Sequence, residues 1–120
     1  MLDQNDYIGF LDIYFHDLTN GENWYWTGYK GYREGEPAGA GKVYSRKMLE
    51  ALNYHVFQPS GDRGLDKGCH DRVMATGLPY KFVKLYKSGA FLCDVKDSEG
   101  LTPLRKFTNL SNCGKDFFSL

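Results

Sequence analysis

Two consecutive stretches of this chain carry large apolar side chains on both sides of a strand, which excludes a sheet with one bare face. Tyr7 to His16 alternates as a strand, with Tyr7, Leu11, Ile13 and Phe15 on one side and Ile8, Phe10, Asp12, Tyr14 and His16 on the other. After the turn signal Thr19-Asn20-Gly21, a second strand is expected from Asn23 to Arg33, built of Trp24, Tyr25, Trp26, Tyr29 and Tyr32. An antiparallel sheet with one face in water alternates apolar with polar residues. Here one face is expected to meet helices. The other must meet a partner, a ligand or more of the same chain.

The aromatic surplus sharpens this. Two Trp, nine Tyr and eight Phe stand in 120 residues, more rings than a domain of this size encloses. A tyrosine packs its ring while its hydroxyl needs water or a partner, and half-exposed Tyr and Trp are enriched at interfaces. With 42% hydrophobic and 25% charged residues, wholesale disorder is excluded. No apolar run is long enough to span a bilayer as a helix. The opening MLDQND has acid where a secretion signal has base, so no such signal is expected. Three cysteines, at 69, 93 and 113, fit a reducing cytoplasm better than a disulfide scaffold.

Residues 34–42 (EGEPAGAGK) read as an unpacked loop. Ser45 offers a helix N-cap before Met48, Leu49 and Leu52, and Asn53 offers a stop. Tyr54 to Gln58 reads as a short strand ending at Pro59. The turn Pro59-Ser60-Gly61-Asp62 leads into a second helix, with Leu65, Cys69 and Val73 on its face and Gly77 as its stop. Tyr80 to Lys87 and Ala90 to Lys96 are expected as a hairpin across Ser88-Gly89, setting Tyr86 opposite Phe91, Lys84 opposite Cys93 and Phe82 opposite Val95. Thr102 and Pro103 open a third helix lined by Leu104, Phe107 and Leu110. The expected order is β-β-α-β-α-β-β-α. That is a single α+β domain over residues 1–120, with a mostly antiparallel sheet and about three helices.

Fifteen basic and fifteen acidic residues cancel, so no global field points to nucleic acid. The distribution is uneven: residues 1–24 carry five acids and no base, and residues 59–96 carry seven bases against four acids. The loop with Gly35, Gly39, Gly41 and Lys42 precedes a helix carrying Arg46, and a second glycine-containing loop offers Arg63 and Lys67. Backbone N–H groups of such loops approach anions. The first is not a P-loop, since Glu36 and Val43 stand where that motif needs Gly and Ser or Thr. Cys69-His70-Asp71 spells nucleophile, base and orienting acid, but helix neighbours point about 100° apart. A thiol–imidazole pair drawn from His16 or His55 is the remaining form of a cysteine enzyme. Asp12 and His16 share a strand face as one carboxylate–imidazole pair, with no second carboxylate to match. No short Cys or His spacing marks a metal, and no cofactor or catalytic residue is assigned.

Trp24 to Arg33 interleaves rings with cations, as a protein contact or a single-stranded nucleic-acid platform does. The expected function is therefore a small intracellular, non-catalytic binding protein, an inhibitor or sequestering protein that forms homo-oligomers and occludes a protein partner. Trp24, Trp26, Tyr29, Lys30, Tyr32 and Arg33 would form the contact. The alternative is a nucleotide or other phosphate-bearing ligand on Arg33, Lys42, Arg46 and Arg63, with Trp26 stacked on its base. A small cysteine-dependent enzyme is the third reading.

Overall fold

The computed structural model describes residues 3–57, 65–97, 107 and 109–115. The aromatic run from residue 7 is cut in two at Leu11-Asp12. β1 (Tyr7–Phe10) and β2 (Ile13–Asp17) lie in different sheets, and β3 (Asn23–Trp26) follows. The remaining elements are β4 (Val43–Tyr44), α1 (Arg46–Ala51), α2 (Leu65–Ala75), β5 (Tyr80–Val83), β6 (Cys93–Lys96) and β7 (Leu110–Gly114), with a 3-10 turn at Gly31–Arg33. One sheet has the order β4-β1-β5 and the other β6-β2-β3-β7.

This is a small α+β domain, but with two mixed sheets and two α-helices among the described residues rather than a mostly antiparallel sheet with three. The expected hairpin does not form. Phe82 registers with Gly9, Cys93 with Tyr14 and Val95 with His16, all in parallel ladders. Residues 7–17 and 80–96 thus run side by side in one direction and cross together from the first sheet to the second. Leu11 N–H donates to Val83 O at the end of one ladder, and Tyr14 N–H to Leu92 O at the start of the next. Residues 84–92 have more chain than this crossing requires. They project as a loop, with Ser88 N–H closing a turn onto Leu85 O.

Asp12 holds the crossing. It is 1% exposed, and Oδ1 accepts from Leu85 N–H at 2.6 Å while Oδ2 accepts from Tyr86 N–H at 2.9 Å and Tyr25 Oη–H at 2.6 Å. The carboxylate therefore satisfies two backbone donors that the interrupted ladder leaves without a strand partner. The expected second strand, Asn23 to Arg33, stops at Trp26 because Gly28 takes φ +106° with its α-carbon against Leu11 O; a Cβ there would lie 2.4 Å from that oxygen.

Each sheet has its own core. Tyr7, Met48, Leu52, Cys69 and Val73 pack α1 and α2 on the first. Ile13, Phe15, Trp26 and Ala38 form the second, with Trp24, Tyr29, Ala40, Leu92, Phe107 and Leu110 around them. Ala38 belongs to the stretch expected to be an unpacked loop. In fact Glu36, Pro37 and Ala38 are buried, Ala38 N–H donates to Phe10 O, and Pro37 lies so close over Gly9 that any Cβ there would meet it at 2.5 Å. Residues 36–40 are a strap across both sheets.

Both helices follow their local signals. Ser45 Oγ accepts from Met48 N–H and donates to Asp6, and α1 ends before Asn53. Asn53 and Tyr54 both take left-handed backbone, which turns the chain, and residues 54–57 do not form the strand expected at Tyr54–Gln58, whose last residue lies outside the described ones. The third helix expected from Thr102 lies largely outside the described residues, and Leu110 begins strand β7 instead, registering with Trp26.

Candidate interaction face

The inner face of the four-stranded sheet holds Ile13, Phe15 and Trp26, so alternation sends Tyr14 and Tyr25 outward. Their rings lie 5.0 Å apart between centroids, on directly paired positions. The crossing loop extends the row at both ends: Tyr86 packs on Tyr25 at 5.2 Å, and Phe91 meets Tyr14 edge-on at 6.1 Å. The result is a line of four rings, Tyr86–Tyr25–Tyr14–Phe91. Tyr86 is 51% exposed, Phe91 58%, and Val95, on the same sheet face, 55%. Asp12 anchors the row through both Tyr25 and the Tyr86 backbone. Burial, and then the Asp12 carboxylate, push the Tyr25 phenol well above the ordinary tyrosine range, so it stays a proton donor.

The residues singled out from sequence are divided between core and surface. Trp26 is 3% exposed and packs inside; Trp24 is half-buried against the same core. Arg33 lies 3.8 Å above the Tyr29 ring and 3.3 Å from Glu36, and Lys30 pairs with Glu34 at 3.9 Å. Tyr32 stands 89% exposed beside them. Of the residues expected to hold a phosphate, Arg46 pairs with Glu50 on the exposed side of α1, while Lys42 lies in the electrostatic surroundings of His70 on α2. Arg63 lies outside the described residues. The sequence reading missed Tyr14, Tyr25, Tyr86 and Phe91 as a group. Their only sequence signal was the large residues on both strand faces.

Cys69, His70 and Asp71 diverge as helix geometry requires. Cys69 is buried with Sγ 3.0 Å from Tyr44 Oη, His70 Nδ1 lies 3.2 Å from Tyr7 Oη, and Asp71 reaches Lys67 at 3.1 Å. Burial raises the Cys93 and Cys113 thiols above their ordinary range, with Asp94 adding to the effect at Cys93. Both remain protonated at neutral pH, the opposite of an activated nucleophile. Among the described residues, no helix is long and apolar enough to cross a membrane, and no group of three His, Cys, Asp or Glu is placed to hold a metal ion.

His70 carries a consequence for stability. Burial holds it below the ordinary histidine range, with Glu36 and Asp71 opposing that shift and Lys42 and Lys67 adding to it. The unfolded chain takes this proton near pH 6.5 and the folded chain only at lower pH. Across that interval the unfolded state binds more protons, so stability falls as the pH drops from 6.5 and levels off below the folded value. Thermal unfolding at pH 7.5 and 5.5 is expected to show a lower Tm in acid. The drop should shrink in His70→Gln; an equal drop in the variant would remove His70 as its cause.

Comparison with protein-family models, with curated proteins and with solved structures finds no match to this chain.

Proposed function

We propose that this chain is a non-catalytic binding protein of the cytoplasm, where its three cysteines stay as thiols, and that it acts by occluding a protein partner or a second copy of itself. The observation that carries the reading is the four-ring row Tyr86–Tyr25–Tyr14–Phe91 on the outer sheet face, whose two end rings, Tyr86 and Phe91, are exposed. Aromatic anchors held in a fixed frame lose little conformational entropy on contact, and such anchors dominate interface energetics. The row takes the part first expected of Trp24 and Trp26, while in the second group Tyr29 and Arg33 are half-buried, Lys30 and Tyr32 are exposed, and both cations already have acidic neighbours.

The test is a double variant, Tyr86→Ser with Phe91→Ser. Both side chains are exposed, so stability is expected to change by about 1 kcal/mol or less. Assemblies seen by native mass spectrometry and sedimentation, whether with copies of the chain or with a co-purified protein, are expected to weaken by about 30-fold or more. Unchanged assembly in a folded double variant would sink the proposal.

A further inference from the structure

The loop that completes the aromatic row also carries charge. No acid occurs between Asp71 and Asp94, while Lys81, Lys84 and Lys87 all fall in that interval. All three are exposed and form no ion pair with the described residues. Several other cations are matched locally: Lys30 faces Glu34, Arg33 and Lys67 face Glu36, Arg46 faces Glu50, and Lys96 faces Asp94. Lys81 stands on edge strand β5, where a lysine has the ordinary role of blocking further strand pairing. Lys84 and Lys87 have no such role. They sit in the crossing loop on either side of Tyr86, and Lys87 Nζ lies 5.4 Å from the centre of its ring.

We infer that the partner surface received by this face is an acidic protein surface with apolar side chains at its centre, its carboxylates meeting Lys84 and Lys87 while its apolar groups cover Tyr86 and Phe91. This rests on the binding role proposed above and adds the chemistry of the partner. Charge complementarity at a rim raises association rates and rejects like-charged competitors. An equally anionic occupant, single-stranded nucleic acid, is disfavoured by the rings. Base stacking needs open ring faces. Here Tyr14 and Tyr25 are half-buried against each other at 47°, and the two exposed rings, Tyr86 and Phe91, stand at opposite ends of the row rather than side by side, with Phe91 at 87° to Tyr14.

The experiment selects from a random 12-residue peptide library displayed on phage against the full chain. Enriched peptides are then measured by fluorescence anisotropy, beside a 15-residue oligodeoxythymidylate. Expected are peptides rich in Asp and Glu around Leu, Ile or Phe, bound at least about tenfold more weakly by the charge-reversed variant Lys84→Glu with Lys87→Glu, and several-fold more weakly at 0.3 M than at 0.05 M salt. Circular dichroism establishes that each variant is folded. Peptides lost by Tyr86→Ser with Phe91→Ser but showing no acidic bias would overturn the acidic partner and leave the contact face standing. Peptides indifferent to both double variants would overturn both. Tighter binding of the oligonucleotide than of any peptide, abolished by the same lysine changes, would reassign the face to nucleic acid.

Discussion

Asp12→Ala is expected to lower the unfolding free energy by about 3 kcal/mol or more, read as a fall in the urea midpoint at unchanged slope. Three donors lose their acceptor at once: the N–H groups of Leu85 and Tyr86 and the hydroxyl of Tyr25. An unmatched buried donor costs about 1–3 kcal/mol, and the exposed Tyr86 loop recovers part of this from water. Asp12→Asn keeps one acceptor oxygen but turns an amide NH2 toward a donor, so its loss falls between wild type and Ala. A second readout separates this site from generic core damage. The Tyr25 phenol is raised by burial and then by Asp12, so in Asp12→Asn it should ionise at lower pH, visible in the ultraviolet. A midpoint shift worth less than about 1 kcal/mol for the Ala variant would mean that Asp12 does not hold the two sheets together.

How far the sequence prefigured this arrangement follows from the range of each signal. Ser45 and Asn53 marked α1 correctly because capping acts within one turn of backbone. Gly77 likewise lay just beyond α2. The crossing at Leu11-Asp12 left no mark, because alternation runs through it unbroken and the reason for the break sits more than seventy residues away, at Leu85 and Tyr86. The turn after Leu85 is real, yet its flanking strands pair with β1 and β2 instead of each other. No local pattern distinguishes those outcomes. The aromatic face suffered from the same shortage of information. With rings on both sides of β2 and β3, alternation divides Tyr14 and Tyr25 from Phe15 and Trp26 but does not say which set is covered. That was decided by Ala38 and Ala40 of a strap whose glycines and proline read as an unpacked loop.

Trp26→Ala is expected to cost about 3–5 kcal/mol, against about 1 kcal/mol or less for Tyr86→Ala, although both rings come from the same aromatic surplus. Trp26 packs edge-on to Tyr29 at 4.8 Å and to Phe107 at 5.2 Å, and tilts against Phe15 at 6.1 Å. Its removal leaves a cavity that Ile13 and Ala38 are too small to close. Tyr86 loses one ring contact on Tyr25 and a face already turned to water. The stability order Trp26→Ala far below Tyr86→Ala, measured by urea unfolding, therefore tests the division into inner and outer faces without any partner in hand. The reverse order would place Tyr86 in the core and Trp26 at the surface, returning the contact to the strand first expected to carry it. It also fixes how binding data are read. A loss of binding in Trp26→Ala reports unfolding, whereas a loss in Tyr86→Ala at full stability reports the contact itself.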